Sequence, residues 1–161
     1  MTPAPASTVS GSARPEERSR LKACRPAAEA RAAMLASVRA FFAGRGFLEV
    51  FTPVRVRAPA NEPYIEAFRS EEWYLRTSPE LHMKRMLAAG FGAIFQTGSV
   101  FRRGERGRYH LPEFCMLEWY RAGSDYEMIL EDMRGLLCRV ARDVRGEARI
   151  PVNDVWLQLD G

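Results

Sequence analysis

The segment 113–121 places residues able to bind a ligand at alternate positions of a predicted β-strand. Phe114, Glu118 and Tyr120 share one face, because side chains of a strand alternate between its two faces. Pairing with the preceding strand brings Arg102 to the same surface. This combination suits a ligand with an anion, a flat ring and an ammonium group. The face offers an arginine, an aromatic ring, a carboxylate and a phenol to bind them. The alternative is a solvated sheet face with ordinary polar residues, and the pattern alone leaves both open.

A strongly basic segment connects these two strands, with four arginines in residues 102–108. Such a run could close over a polyphosphate, because guanidinium groups form paired hydrogen bonds with phosphate oxygens. It is also typical of a charged hairpin tip, and both interpretations stay open. The segment after Arg102 contributes Arg103, Glu105, Arg106, Arg108 and His110.

Several kinds of catalytic site are excluded. The chain has no G-x-x-x-x-G-K-[ST] loop and no G-x-G-x-x-G, so a P-loop ATPase is ruled out. His82 and His110 are the only histidines, which leaves few candidates for a catalytic triad. Cys24, Cys115 and Cys138 form no C-x-x-C pair, so neither a zinc site nor a disulfide framework is indicated. We expect a reducing, cytoplasmic environment.

Length and composition predict a single globular domain. The chain has 161 residues, of which 47% are hydrophobic and 27% charged. No apolar run approaches the roughly 20 residues that span a bilayer, and the N-terminus lacks a secretory signal. The formal net charge is +4, and only Lys22 and Lys84 among 24 basic residues are lysines. Arginine favours anionic partners; a general preference for arginine is the alternative.

The N-terminal part predicts a tail and a helix. Residues 1–25 are rich in Ala, Pro, Ser and Arg, which is typical of a flexible tail. From Pro26, the spacing i, i+1, i+4, i+7, i+8 predicts one apolar helix face, which Gly44 and Gly46 end. That face consists of Met34, Leu35, Val38, Phe41 and Phe42. We expect it to be exposed and to favour self-association into a homodimer.

The remaining elements predict an α+β fold. They are, in order, a strand at 47–50, a loop with short extended pieces at 55–70, a strand at 73–76, a helix, the hairpin and a final helix. The second helix starts at 77–80 with a hydroxyl cap, a proline and an acid, and Gly90 ends it. Ser124 and Glu127 predict a capping box for the last helix. This order indicates an antiparallel sheet flanked by helices.

Three ordered segments resemble the lysine-specific branch of the class II aminoacyl-tRNA synthetases. Phe101-Arg102 followed by GRYHLPEFCMLEWYR resembles motif 2, GFLEVFTP (46–53) resembles motif 1, and TSPELHMKRMLAAGF (77–91) resembles the segment between them. GRYH and LEWYR are most similar to the paralogues that attach β-lysine to elongation factor P and that lack an N-terminal anticodon-binding barrel. The resemblance covers roughly residues 30–143 and implies that 26–161 is part of a class II catalytic domain.

The resemblance implies roles for the residues of this sheet face. Arg102 would hold the ATP α-phosphate and the amino-acid carboxylate and stabilise the charge of the transition state. Phe114 would stack on adenine. Glu118 and Tyr120 would bind the side-chain ammonium group of the substrate, and Glu80 its α-ammonium group. The other implied contacts are Ser78 and Pro79 for the amino acid, and Arg103, Gly104, Arg108, His110 and Leu111 for ATP.

The sequence departs from the family pattern at three places. Motif 2 normally reads Arg-x-Glu, whereas Arg102 is followed by Arg103 and Gly104, with Glu105 one place late. Leu111 stands where asparagine is usual. The third motif, with a second ATP-binding arginine, and the glutamates that hold Mg²⁺ have no counterpart here. We therefore expect a truncated form, about half of a catalytic domain, that is inactive alone and whose metal ligands lie elsewhere.

The implied reaction is the ATP-dependent activation of lysine or β-lysine as an aminoacyl-adenylate, followed by transfer to elongation factor P. Positioning and electrostatics would supply the rate without a covalent enzyme intermediate. One alternative is a fragment of a lysine–tRNA ligase, whose acceptor is tRNA. Another is a non-catalytic synthetase-like module for dimerisation or binding.

Overall fold

The computed structural model describes residues 14–160, which form three helices and eight strands. In chain order these are α1 (Pro15–Gly44), β1 (Leu48–Glu49), β2 (Arg55–Val56), β3 (Arg69–Ser70), β4 (Trp73–Leu75), α2 (Glu80–Ala88), β5 (Ala93–Phe101), β6 (Glu113–Arg121), α3 (Tyr126–Arg145), β7 (Arg149–Val152) and β8 (Val155–Gln158). The strands form a central sheet of order β1-β5-β6, a small sheet of order β2-β4-β3, and the hairpin β7-β8.

The central sheet is mixed rather than purely antiparallel, which corrects the predicted topology. The long hairpin β5–β6 is antiparallel as predicted, with Val100 opposite Phe114 and Gln96 opposite Glu118. Strand β1 pairs with β5 in parallel, Leu48 lying opposite Ile94. Parallel neighbours need a long crossover connection, and the segment carrying β2, β3, β4 and α2 supplies it. The periodicity of a two-residue strand carries no information about its direction.

The apolar face predicted for α1 is largely buried, which corrects the expectation that it is exposed. Val38, Phe41 and Phe42 belong to the main hydrophobic core, where Phe42 is fully buried and its ring stacks 4.7 Å from that of Phe95. Only Met34 of this stripe is well exposed. Helices α1 and α3 pack on the same side of the sheet. The stripe therefore faces its own sheet because burying aromatic surface stabilises the folded chain.

Helix α1 begins at Pro15, eleven residues before the predicted start. Residues 15–25 are therefore helical and exposed, whereas residues 1–13 of the predicted tail lie outside the described part of the chain. Pro15 is tolerated in the first turn because the backbone N–H groups there have no acceptor within the helix. The negative charges of two glutamates in the same turn interact favourably with the positive end of the helix dipole. Pro26 lies inside the helix rather than at its start. The predicted end is confirmed: the helix stops at Gly44, and Gly46 has a φ of 77°.

Helix α3 is capped by a residue one position later than predicted. The Asp125 side chain accepts a hydrogen bond of 3.1 Å from the backbone N–H of Met128, whereas Ser124 was the predicted cap. An aspartate at this position also places a negative charge at the positive end of the helix dipole. The helix ends at Arg145, and the residue that follows it, Gly146, has the left-handed conformation.

A buried ion cluster links α3 to the central sheet. The fully buried Asp132 accepts hydrogen bonds of 2.7 Å from Arg45 and from Arg121, at the end of β6. Desolvation alone would raise the pKa of Asp132, but the hydrogen bonds and charges of Arg121 and Arg45 outweigh it and lower the pKa. This cluster fixes the strand end immediately after Tyr120.

The other face of the central sheet is covered in part by α2. Met83 packs with Ile94 and Val50, and Tyr120 lies against this second cluster.

Of the helices that the structure describes, none has the length and apolar character needed to cross a membrane.

Candidate active site

The face of the central sheet that turns toward α2 carries the predicted ligand-binding residues. Cross-strand partners share a face, so the register puts Glu118 beside Gln96 and Tyr120 beside Ile94. Trp119 and Leu117 instead pack into the core on the α1–α3 side. The predicted alternation is thus confirmed, and we call this surface the α2-side face.

Glu118 is held at both carboxylate oxygens. The Ser78 hydroxyl donates a hydrogen bond of 2.6 Å to Oε1, and the Tyr120 hydroxyl donates one of 2.7 Å to Oε2. Burial, together with the hydrogen bond to Glu118 and the negative charges of Glu118 and Glu80, raises the pKa of Tyr120 well above its ordinary value. The phenol therefore stays a donor, and the carboxylate is an oriented acceptor for a cation.

The start of α2 positions Ser78 against this carboxylate. The Ser78 oxygen accepts a hydrogen bond of 3.0 Å from the backbone N–H of Glu80. The N-cap residue is Pro79, which has no side-chain cap bond, so the predicted hydroxyl N-cap with proline at the first helical position is corrected by one residue. Pro79 already has helical backbone angles and is buried. Glu80 forms an ion pair with Lys84, one turn further along the helix. The same hydroxyl thus bonds to the first residue of the helix and orients Glu118.

Arg102 and Phe114 form a second group on the α2-side face. The guanidinium carbon of Arg102 lies 5.3 Å from the centroid of the Phe114 ring, within the range of cation–π contacts. Its Nε donates a long hydrogen bond of 3.4 Å to the carbonyl of Thr77, and one terminal nitrogen is 3.9 Å from Glu105. Because Thr77 precedes Ser78, the link between β4 and α2 contacts both groups.

An open cleft of about 390 Å³ adjoins this second group. Its lining residues are Arg102, Glu105, Tyr109, His110, Leu111 and Phe114. Gly104 has a φ of 79°, a conformation that glycine adopts without strain. The chain turns there, and Glu105 returns to the cleft. Backbone hydrogen bonds between Gly107 and His110 close a further turn on the same rim.

Three of the predicted ATP contacts do not line this cleft, namely Arg103, Gly104 and Arg108. The backbone N–H of Arg103 bonds to the carbonyl of Glu66 at 2.7 Å, and its side chain approaches Glu66 at 3.7 Å. The Arg108 guanidinium lies 5.1 Å from the Tyr109 ring centroid and does not line the cleft. Glu105 and Tyr109 line it without having been assigned roles. Glu105 could have been predicted as a residue of the cleft, because it stands one place after the position where motif 2 normally has its glutamate.

The arrangement offers a cationic and aromatic cleft at one end and an oriented carboxylate at the other. Arg102 can neutralise a phosphate or a carboxylate, while Phe114 offers a ring face for stacking. Glu118 can bind an ammonium group. Residues 14–160 contain no group of three His, Cys, Asp or Glu side chains placed to hold a metal ion.

A family model and individual relatives of known name both match this chain. The model of the class II tRNA synthetases (D, K and N) matches residues 17–160. Elongation factor P–(R)-beta-lysine ligase of Vibrio cholerae is 46% identical over 141 residues, covering 81% of this chain and 43% of that protein. The ligases of Photobacterium profundum and Yersinia enterocolitica are 44% and 43% identical, each covering 80% of this chain and 42% of the relative. The chain thus spans about two fifths of the length of these relatives.

Proposed function

The chain belongs to the class II tRNA synthetases of the D, K and N type, and from this premise we propose that its α2-side face binds ATP and lysine or β-lysine for adenylate formation. The β-lysine ligases that it resembles are named for elongation factor P as their acceptor, and we propose the same acceptor for the protein to which this sequence belongs. These substrates place the proposed reaction in the cytoplasm.

The hydrogen-bonded Glu118 is the observation that carries this proposal. A half-buried carboxylate fixed by Ser78 and Tyr120 is suited to a desolvated ammonium group, which needs an opposite charge. The same face carries Arg102 beside Phe114, suited to an anion next to a flat ring. An adenylate of lysine combines these three parts: an ammonium group, a phosphate and adenine.

The chain's own groups support a direct displacement. In the proposed step an oxygen of the substrate carboxylate attacks the α-phosphorus of ATP, the bond to the β-phosphate bridging oxygen breaks, and pyrophosphate leaves. Arg102 contacts both reactants and stabilises the charge that develops between them. Glu118, Ser78 and Tyr120 hold the other end of the amino acid, so its carboxylate is oriented for attack. Mg²⁺ bound with ATP would neutralise part of the charge on its phosphates.

In the second half-reaction an amine of the acceptor attacks the carbonyl carbon of the adenylate and AMP leaves. A lysine amine of elongation factor P forms an amide, whereas a tRNA hydroxyl would form an ester. Transfer of label from radioactive lysine or β-lysine to each acceptor separates the two. Because the relatives are named as ligases of elongation factor P, we expect the protein acceptor to be labelled.

Isothermal titration calorimetry with paired ligands tests the site. Lysine and norleucine have the same chain length, but norleucine lacks the terminal ammonium group. We expect norleucine to bind about 10- to 100-fold more weakly in the presence of ATP, because a hydrogen bond to a charged group contributes about 1.5–3 kcal/mol. Equal affinity for the two ligands would contradict an ammonium site at Glu118. Pyrophosphate exchange by the whole protein to which this sequence belongs, with lysine and with β-lysine, then identifies the preferred amino acid.

A further inference from the structure

A buried arginine, Arg76, lies within reach of the charge of Glu118. Arg76 directly follows β4 and only 4% of its surface is exposed. Its Nε donates to the carbonyl of Ser99 at 3.0 Å, and one terminal nitrogen donates to the carbonyl and hydroxyl oxygens of Thr52 at 2.8 and 3.0 Å. Burying a guanidinium group is costly unless its donors are satisfied. These contacts join β4, β5 and the segment after β1 through one side chain.

Gly98 provides the space that this guanidinium occupies. A Cβ at position 98 would lie 2.7 Å from the second terminal nitrogen of Arg76, closer than real contacts of this kind. Position 98 is on the α2-side face, two residues from Gln96, whose side-chain oxygen accepts from the backbone N–H of Thr52. Thr52 is therefore held from two sides. At this point of the sheet, Arg76 takes the place of a β5 side chain.

The position of Arg76 couples it to the proposed ammonium site. Ser78, which donates to Glu118, follows only two residues later, so fixing Arg76 restricts where the Ser78 hydroxyl can lie. Desolvation lowers the pKa of Arg76, and the nearby negative charge of Glu118 opposes that change. The charge of Glu118 thus favours the charged form of the buried guanidinium.

We propose that Arg76, seated against Gly98, is a positioning residue that holds Ser78 and Glu118 in place for the ammonium group of the substrate. The expected effect of Arg76 on substrate binding rests on the proposed function. Its geometric part concerns the protein alone, so it can be tested without a substrate.

The Tyr120 phenol reports directly on the position of Glu118, to which it donates. Its titration can be followed by ¹³C NMR of labelled tyrosine and assigned with Tyr120→Phe. In the unchanged protein its pKa is raised above the ordinary value of about 10. We expect Gly98→Ala, which displaces Arg76 but keeps its charge, to move the titration of Tyr120 down toward that value, because a displaced Glu118 no longer accepts its hydrogen bond.

Gly92→Ala is the matched control, since Gly92 lies just before β5 and a Cβ there meets nothing within 4 Å. Its Tyr120 titration should equal that of the unchanged protein. Far-UV circular dichroism verifies that each variant folds. Gly98→Ala decides the test, because it adds only one methyl group and keeps the charge of Arg76. An unchanged Tyr120 titration in folded Gly98→Ala overturns the proposal.

Lysine binding by the same variants measures the consequence. We expect Gly98→Ala to weaken lysine binding about tenfold or more and Gly92→Ala to leave it unchanged, while Arg76→Lys, which keeps the charge but not the planar fork, restores only part of the affinity lost in Arg76→Met. If the unchanged protein binds no lysine, the proposed function fails, and the Tyr120 titration still decides the role of Arg76. If lysine binds but Gly98→Ala binds it equally well, the positioning role fails alone.

Discussion

The guanidinium carbon of Arg102 lies 5.3 Å from the ring centroid of Phe114, across the hairpin formed by β5 and β6. A flat ring that stacks on Phe114 would therefore have a positive charge beside it. The neighbouring Arg103 turns away toward Glu66. Two adjacent arginines thus differ in what they can contact.

We expect Arg102→Ala to weaken ATP binding about 10- to 100-fold, because it removes charge-assisted hydrogen bonds worth about 1.5–3 kcal/mol. Arg103→Ala is the matched control and should change the affinity by less than about threefold, since its side chain is largely exposed and contacts Glu66. Calorimetric titration with ATP measures both. If Arg103→Ala weakens binding as much as Arg102→Ala does, a general charge effect explains the loss instead.

Glu118→Gln removes the negative charge and preserves the shape of the side chain. We expect lysine affinity to fall about 10- to 100-fold, because a buried ammonium group loses its counter-charge. Glu113→Gln, on the same strand but on the opposite face and exposed, is the control and should bind lysine normally. Chemical-shift titration with lysine reports both variants. Normal lysine binding by Glu118→Gln would remove this residue from the site.

Asp132→Asn breaks the ion cluster with Arg45 and Arg121. We expect the free energy of unfolding to fall by about 2–3 kcal/mol, somewhat less than for a fully buried pair, because both arginines reach solvent. Glu131→Gln, an exposed neighbour, should change it by less than about 0.5 kcal/mol. Urea unfolding followed by fluorescence measures the difference.

The same cluster predicts a pH dependence with a definite sign. The folded state lowers the pKa of Asp132 below its reference value of 3.8, so it binds this proton less tightly than the unfolded chain does. The stabilisation is therefore fully present above the unfolded value and is lost as the pH falls through the folded value. Asp132→Asn should show a smaller loss of stability between pH 5 and pH 2. An identical acid profile in both proteins would show that folding does not lower the pKa of Asp132.

Substitutions at the start of α3 can test whether Asp125 or the adjacent Ser124 caps the helix. We expect Asp125→Ala to lower the free energy of unfolding by about 1 kcal/mol, because the N–H of Met128 loses its acceptor. Ser124→Ala should be nearly neutral, since Asp125 is the capping residue. Thermal unfolding of the two variants distinguishes them. The reverse order would restore the capping box predicted from Ser124 and Glu127.

Self-association stays a prediction, but the exposed apolar surface that would form the dimer interface lies on α3 rather than on α1. Most of the α1 stripe is buried, whereas α3 exposes Leu130, Met133 and Leu137 at the spacing i, i+3, i+7. We expect sedimentation at tens of micromolar to show a dimer that Leu137→Glu weakens. Tyr64→Glu, at an almost fully exposed position elsewhere, serves as control. A monomeric unchanged protein would refute dimer formation.

Local sequence rules determined the elements of the site. Alternation in β6 put Phe114, Glu118 and Tyr120 on one face, and the hydroxyl–proline–acid order predicted the start of α2. These features depend on neighbours within one strand or one helical turn. They can therefore be predicted from spacing alone.

Only the tertiary structure decided which side of each element is covered and what meets across the chain. The bond from Ser78 to Glu118 joins residues 40 positions apart, and Arg76 is buried because Gly98 leaves space for it. The parallel pairing of β1 and the burial of Phe42 likewise depend on distant segments. Such contacts form where packing, hydrogen bonding and charge are satisfied together, and no periodicity within one segment specifies them.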